Sequence, residues 1–330
     1  MPRAPPPGIY APAITLFNED DTLDLASQSL YYKHLSQTGL AGLVILGTNA
    51  ETFLLTQSER ASLLQTARRA VGPSYPIIAG VSGHSTAQVL EFIADAHSAG
   101  ADYALLLPPA YFRAATTNAV IEAFFLEVAQ KSPLPIVLYN FPGVCNGVDL
   151  DSGIIASLAQ KSENIVGVKL TCGSVGKVTR LAALFEPERF AVFGGQSDFL
   201  VGCLASGGAG CIAAFANVAP RSVVEVYGLW KEGKADEALK VHRTAGLAEA
   251  SVKGGIATVK YGASLHTMVE AGIGKDAKEG REKFLEVRTR ARKPYGGVVG
   301  AAAMSIKEGL RGVLEHEKEL AAKGKTNGSK

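Results

Sequence analysis

The sequence has few of the residues that mark several classes of protein. Four cysteines in 330 residues are too few for the disulfide framework of a small secreted domain. Lys and Arg together number 33 against 31 Asp and Glu, so the net charge gives no electrostatic attraction for nucleic acid. No uninterrupted apolar run approaches the roughly 20 residues of a membrane-spanning helix. We therefore expect a cytoplasmic globular protein that binds neither nucleic acid nor a membrane.

Motifs for metal or nucleotide binding are missing as well. The six histidines show no HxxxH or HExxH pairing, and the cysteines have no CxxC spacing. No GxGxxG or Walker A stretch occurs. The sequence predicts neither a metal centre nor a nucleotide site.

What the sequence has in excess is glycine, with 36 residues, and short apolar runs separated by segments of helical periodicity. The runs are continuously apolar, as is typical of strands buried on both faces. They are Ile9–Phe17, Gly42–Leu46, Ile77–Val81, Tyr103–Leu107, Ile136–Tyr139, Ile165–Leu170, Phe190–Phe193 and Gly210–Ala213. Eight strands alternating with helices predict an α/β fold, a (β/α)8 TIM barrel. A doubly wound open sheet is the alternative.

From about Ala219 the strand pattern stops, and the remaining chain has helical periodicity, with single helices predicted over residues 254–271 and 276–293. We therefore predict a C-terminal helical extension rather than a second similar domain. The expected divisions are a flexible leader, a barrel, the extension and a flexible tail, at residues 1–8, 9–220, 221–322 and 323–330.

Chemistry in such a barrel is expected at the carboxyl ends of the strands. Lys169 lies inside the apolar sixth strand, where a charged ammonium is costly unless it is paired. A lysine that is partly neutral can attack a ketone and form a Schiff base; a lysine that reaches solvent or pairs with a carboxylate is the alternative. Tyr139, at the end of the fifth strand, could relay a proton or could simply pack under a loop.

The turn after the second strand carries a second set of polar groups. Backbone N–H groups at Thr48 and Asn49 could bind a carboxylate, and the Thr48 hydroxyl could join a proton relay. An ordinary strand-to-helix turn is the alternative.

Four strand ends together resemble the family of dihydrodipicolinate synthase and N-acetylneuraminate lyase, which are Schiff-base, pyruvate-dependent aldolases on a (β/α)8 barrel. The resemblance runs from about Ile9 to Arg292 with the motifs in the family's order. The matching segments are Gly47-Thr48-Asn49-Ala50-Glu51, Pro109-Ala110-Tyr111, Tyr139-Asn140-Phe141-Pro142 and Gly167-Val168-Lys169.

The resemblance implies a role for each matching residue. Lys169 forms the imine with a 2-oxo acid, and Tyr139 transfers protons. Thr48 and Asn49 hold the substrate carboxylate, and Tyr111 completes a relay from across a dimer interface. Gly195 and Ile212 contribute backbone that lines the site. The resemblance further implies a homotetramer built as a dimer of dimers, and no metal or organic cofactor.

Departures from the family pattern bear on the substrate. Ala50 replaces the usual glycine of the second-strand turn. Val144 or Cys145 stands where dihydrodipicolinate synthases carry a carboxylate-binding arginine, and Thr171 is a candidate contact for a substrate hydroxyl. We therefore predict a lyase that cleaves a 2-keto-3-deoxy sugar acid to pyruvate and an aldehyde.

Other activities stay open at this point. The next candidate is a 4-hydroxy-2-oxoglutarate aldolase, followed by a dihydrodipicolinate synthase or a deoxy-sugar-acid dehydratase. All of them share the imine, so the lysine alone does not separate them. The alternative outside enzymology is a catalytically inactive small-molecule sensor on the same barrel.

Overall fold

A computed structural model describes residues 2–327, with side chains described as far as residue 323. Eight parallel strands form a closed barrel in which each strand pairs with the next along the chain and β8 pairs with β1. The strands are β1 Gly8–Pro12, β2 Gly42–Ile45, β3 Ile77–Gly80, β4 Tyr103–Leu106, β5 Ile136–Asn140, β6 Ile165–Leu170, β7 Ala191–Gly194 and β8 Gly210–Ile212.

The predicted TIM barrel is thus confirmed, and the open sheet is excluded because the first and last strands are hydrogen-bonded. Nearly every strand residue is buried, because the barrel interior and the surrounding helices cover both faces of each strand. Strand β1 ends five residues earlier than predicted, whereas the ends of the other strands differ from the prediction by at most one residue. The chain leaves the sheet after Pro12, and the following apolar residues pack at the barrel mouth.

Helices follow the strands on the outside of the barrel. They are α1 Leu25–Leu35, α2 Gln57–Val71, α3 Thr86–Ser98, α4 Asn118–Lys131, α5 Ser152–Lys161, α6 Val175–Ala182, α7 Leu200–Ala205 and α8 Pro220–Lys231. Side chains of Asp24, Ser85 and Asp151 cap the first turns of α1, α3 and α5. The N-cap of α2 is Thr56, and Glu59 completes a capping box with it.

Two helices differ from the sequence reading. The six-residue α7 was not predicted, because it is too short to show a helical period. Helix α8 follows β8 and packs against β1, so it is the eighth helix of the barrel. We accordingly draw the barrel boundary after Lys231 rather than at residue 220.

The chain continues as α9 Ala235–Ala250, α10 Ile256–Ser264, α11 Thr267–Glu270, α12 Arg281–Arg288 and α13 Gly300–Asn327. The helix predicted over residues 254–271 is divided in two, because His266 has a non-helical backbone conformation. Ile306, Leu310 and Val313 of α13 are buried in the common core.

The chain ends also differ from the predicted flexible segments. In the leader, the Ala4 N–H donates to the Glu188 carbonyl, and Tyr10 donates its hydroxyl hydrogen to the Pro6 carbonyl at 2.8 Å. These bonds hold the proline-rich segment against the base of the barrel. Helix α13 continues through Asn327, past the start predicted for the tail. Residue 1 and residues 328–330 of the predicted leader and tail lie outside the described residues.

Candidate active site

The site starts from the pairing of β5 with β6. Tyr139 and Lys169 are direct neighbours in this parallel pair, so both side chains are presented at the same level of the barrel. Lys169 Nζ donates to the Tyr139 hydroxyl at 3.2 Å and lies 4.3 Å from the centre of its ring. Lys169 is only 2% exposed and forms no ion pair among the described residues. A buried amine beside a phenol is the arrangement that imine chemistry requires.

The turn after β2 brings a third group to this pair. Thr48 Oγ1 lies 3.2 Å from the Tyr139 hydroxyl, so the Thr48 hydroxyl, the phenol and the amine form one hydrogen-bonded chain. Thr48 and Asn49 belong to a single turn of 3-10 helix, Thr48–Ala50, which presents backbone N–H groups at its start.

Ala50 is accommodated in this turn without strain. The left-handed conformation of the turn falls on Glu51, with φ of 59°, so position 50 does not require glycine. Ala50 is buried, and its carbonyl accepts a hydrogen bond from Thr15 at 2.8 Å. The substitution therefore leaves the path of the turn intact.

The exits of β6 and β7 form the neighbouring wall. The hydroxyl oxygen of Thr171 is buried and has no hydrogen-bond partner among the described residues. Gly195 lies so close that an added Cβ would come 2.0 Å from that oxygen, so only glycine fits at position 195. Ile212 is buried at the end of β8. The Thr171 hydroxyl is thus unpaired within the described residues, but it has no exposed surface, so its contact with a substrate hydroxyl stays a prediction.

The structure distinguishes the two residues predicted at the arginine position. Val144 is 44% exposed and lines the cavity described below. Cys145 is 1% exposed and packs in the hydrophobic core, and burial raises the pKa of its thiol to about 12. Val144 therefore faces the site, and Cys145 supports the loop from behind.

Asn140 fixes that loop, a role that the sequence motif did not reveal. Its amide donates to Asp149 Oδ1 at 2.7 Å, and its side-chain oxygen accepts the Leu150 N–H at 2.9 Å. Lys177 donates to the same Asp149 oxygen at 2.5 Å. Partial burial opposes ionisation of Asp149, but these two donors outweigh it and lower its pKa. Asn140 is thus a structural residue that ties the end of β5 to residues nine and ten positions further along the chain.

Tyr111 is the predicted site residue that the single chain does not bring to the others. It is 72% exposed and packs against Phe112 and His84, with ring centres 5.1 and 5.9 Å apart. Its hydroxyl makes no hydrogen bond to Tyr139 or Thr48 within the part of the chain that the structure describes.

A cavity of about 500 Å³ opens outward from Thr48. Residues of the barrel form one side of it, and two segments of the C-terminal region form the other. It is lined by Thr48, Glu51, Thr52, Phe53, Leu54, Val144, Gly254, Gly255, Ile256, Ala257, Ala291, Tyr295 and Gly296. No Lys, Arg or His is among these lining residues. Sequence reasoning missed the C-terminal wall, because no local pattern marks it.

The described residues contain neither a metal-binding cluster nor a membrane-spanning helix. In residues 2–327 no group of three or more His, Cys, Asp or Glu side chains is arranged to hold a metal ion. Within the same range no helix combines the length and the hydropathy needed to cross a membrane.

Comparison with known proteins gives concordant results. Residues 5–272 match the model of the dihydrodipicolinate synthetase family. A Coccidioides immitis protein, provisionally named a mitochondrial 4-hydroxy-2-oxoglutarate aldolase, is 57% identical over 97% of this chain and all of its own length. The L-threo-3-deoxy-hexylosonate aldolase of Hypocrea jecorina is 36% identical over 97% of this chain and 99% of its own.

Solved structures agree with this assignment. A crystal structure of a dihydrodipicolinate synthase family protein from Coccidioides immitis has 54% identity, a TM-score of 0.88, and coverage of 96% of this chain and 98% of its own. The prophage protein YagE from Escherichia coli K12, solved in complex with pyruvate, has 26% identity, a TM-score of 0.81, and coverage of 93% and 98%. The chain therefore belongs to the dihydrodipicolinate synthetase family, as its barrel, the order of its motifs and the extent of these matches establish.

Proposed function

We propose that the protein is a class I aldolase that cleaves a 2-oxo-3-deoxy-4-hydroxy acid to pyruvate and an aldehyde. The observation that carries this proposal is the chain of contacts from Lys169 through Tyr139 to Thr48, with 3.2 Å at each step. Relatives over nearly the whole chain are named as aldolases, which supports the same reaction class.

The geometry suits each step of a retro-aldol reaction. Lys169 Nζ attacks the C2 carbonyl carbon, and the carbonyl oxygen leaves as water, which gives an iminium. Tyr139 donates the proton that the departing water requires, and the phenolate left behind takes the proton of the C4 hydroxyl. The C3–C4 bond then breaks, the aldehyde departs, and the electron pair moves onto nitrogen as an enamine. Protonation at C3 and hydrolysis release pyruvate and restore the lysine.

Thr48 and Asn49 suit the substrate carboxylate. The start of the 48–50 turn presents backbone N–H groups beside the Thr48 hydroxyl, and together they form a site for an anion. With the carboxylate held there and C2 at Lys169, the far end of the substrate extends into the cavity beside Val144. Thr171, Gly195 and Ile212 are assigned to the surroundings of the reacting carbons, because they lie at the ends of β6, β7 and β8.

The chemistry of the cavity separates the two substrate classes that the relatives' names suggest. 4-Hydroxy-2-oxoglutarate carries a second carboxylate on C4, and such a group binds best to a cation. The cavity has none among its lining residues, and Val144 is uncharged. A 3-deoxy sugar acid ends instead in neutral hydroxyl groups. We therefore favour the sugar acid, with 4-hydroxy-2-oxoglutarate as the second candidate.

We also propose that the active protein is an oligomer, in which Tyr111 reaches the site of a neighbouring subunit. Its exposed ring and the adjacent exposed rings of Phe53 and Phe112 form an aromatic surface suited to a subunit contact. For location, the cytoplasm remains the prediction, and the mitochondrion named for relatives is the competing site. Cell fractionation with an antibody against the native chain would decide between them.

A substrate panel tests the proposed function. Purified protein is assayed for pyruvate release from L-threo-3-deoxy-hexylosonate and from 4-hydroxy-2-oxoglutarate, and for condensation of pyruvate with aspartate semialdehyde. We expect the highest kcat/KM on the sugar acid. Val144→Arg is the matched variant, and it should shift the preference toward the dicarboxylate. Fast condensation by the wild type with the semialdehyde would contradict the proposal, and complete inactivity would favour the sensor.

A further inference from the structure

The C-terminal segment 290–296, here called the strap, crosses the mouth of the barrel and is fastened there by an ionic clamp. Both terminal nitrogens of Arg292 donate to Glu59, at 2.6 and 2.8 Å. The Arg292 backbone N–H donates to Glu51 at 2.6 Å, and its Nε lies 3.3 Å from Asp21. A bidentate ion pair between a guanidinium and a carboxylate fixes the orientation of the two groups as well as their distance. These contacts hold the strap in one position over the site.

A second contact ties the strap to the turn that carries Thr48. Glu51, which directly follows that turn, is buried and pairs with the fully buried Lys260 at 3.0 Å. Lys260 also donates to the Arg290 carbonyl at 2.5 Å. Glu51 is therefore bound on one side to Lys260 and on the other to the Arg292 N–H. The strap and the catalytic turn share one buried carboxylate as their anchor.

The strap places Tyr295 at the cavity. Ala291, Tyr295 and Gly296 line it from the side opposite Thr48 and Val144. All three lie beyond residues 5–272, the part of the chain that the family model matches. The family assignment therefore gives this wall no role.

The polar groups of the cavity differ in what they can still bind. Glu51 is satisfied by Lys260 and the strap, and the Thr52 hydroxyl oxygen is buried away from the cavity surface. Thr48 is engaged with Tyr139. Tyr295 is 62% exposed, and no hydrogen bond within the described residues engages its hydroxyl. Its phenol can both donate to and accept from a ligand.

We propose that Tyr295 is a specificity-determining residue, whose hydroxyl binds the terminal hydroxyl groups of the substrate at the end remote from the imine. This inference rests on the proposed function, because it assumes that the 2-oxo end is held at Lys169. It assigns the strap to the active site and makes Arg292 the positioning residue that holds Tyr295 there.

The test compares a long and a short substrate. L-threo-3-deoxy-hexylosonate has hydroxyl groups beyond C4, whereas 4-hydroxy-2-oxopentanoate ends in a methyl group and does not reach the strap. Tyr295→Phe should raise KM for the long substrate by about three- to tenfold, which is the worth of one net hydrogen bond, and leave kcat within about twofold. Constants for the short substrate should not change. Val299→Ala, a neighbouring exposed position outside this cavity, is the control.

Arg292 provides an independent second variant. Arg292→Ala should reproduce the selective rise in KM for the long substrate, because Tyr295 is still present but the ion pairs that fix the strap are lost. An equal loss on both substrates would show a merely structural role, and no change on either would overturn the proposal. Trapping of pyruvate with borohydride should succeed in all these variants. Failure of trapping in the wild type would instead refute the proposed function, so the two outcomes are distinguishable.

Discussion

At the scale of single residues, the account depends on three groups that come from three different strand ends. Lys169 is buried among apolar neighbours, yet its amine has a phenol within 3.2 Å. Tyr139 in turn contacts Thr48 at the same distance. The three groups together place the nucleophilic amine at one end of a path for the proton and the Thr48 hydroxyl at the other.

Replacement of Tyr139 by Phe tests the proton path separately from the imine. Loss of a general acid–base group typically lowers kcat by about 10²- to 10⁴-fold. We expect a loss in this range for Tyr139→Phe on any cleaved substrate, measured by pyruvate release under saturating conditions. The imine with pyruvate should still form on Lys169 and be trapped. Unchanged turnover would remove Tyr139 from the mechanism.

A side chain that is anomalous in its local context is what identifies a candidate site residue from the sequence. Lys169 was identifiable because a charged residue interrupts an apolar strand. No local pattern indicates a role for Glu51, Lys260 or Arg292. Their contacts join segments that lie more than 200 residues apart in the chain. The choice between Val144 and Cys145 as the residue that faces the cavity depends on the loop conformation, which no local sequence pattern indicates.

At the scale of elements, the barrel strands were predictable and the C-terminal helices were less so. Continuous apolar runs identified all eight strands to within one or two residues at most ends. Helices α10 and α11 were read as one, since the break at His266 has no glycine or proline to mark it. The strap has no regular structure, so the helix predicted over residues 276–293 is wrong for residues 290–293. Its position comes from ion pairs formed only in the folded chain.

Packing of α11 against α1 and α8 gives a prediction about acid stability. Glu270 lies 2.7 Å from Arg221 and 3.4 Å from His34, with His266 at 3.7 Å and Glu317 close to the same Arg221. Partial burial opposes ionisation of Glu270, but the nearby His34 and the hydrogen bond from Arg221 outweigh it and lower its pKa from 4.5 to about 2.

A carboxyl group with a lowered pKa stabilises the fold above its unfolded pKa, and this stabilisation is lost as pH falls through the folded value. Glu270→Gln should therefore reduce the free energy of unfolding near neutral pH. The difference in free energy of unfolding between the variant and the wild type should disappear as pH falls from 4.5 toward about 2. Urea denaturation across this pH range measures that difference, and Glu127→Gln, which removes one partner of an exposed ion pair, is the control. A difference that does not change with pH would contradict the lowered pKa of Glu270.

At the scale of the whole molecule, the single chain leaves one predicted residue of the site unplaced. Tyr111 lies among exposed aromatic rings and has no contact with Tyr139 or Thr48 in the described chain. A second subunit that packs on this surface would bury the rings and could bring the phenol to the neighbouring site.

Mixed oligomers test whether Tyr111 acts between subunits. Lys169→Met and Tyr111→Phe chains, each impaired alone, are unfolded together, refolded and assayed. If Tyr111 is supplied by the partner, a mixed dimer contains one complete site. Activity should then reach about a quarter of the wild-type value, because half of randomly formed dimers are mixed. Activity no higher than the average of the two separate variants would show that Tyr111 acts within its own chain or has no role.

The central claim is that Lys169 forms an imine with a 2-oxo acid. Native protein is incubated with pyruvate, reduced with borohydride and weighed intact by mass spectrometry, with peptide mapping to locate any adduct. The account predicts one added reduced pyruvate group per chain, about 72 Da, attached to Lys169. The added mass should be absent from Lys169→Met, whose melting temperature is checked first. No adduct on the native chain, or the same adduct on Lys169→Met, would contradict it.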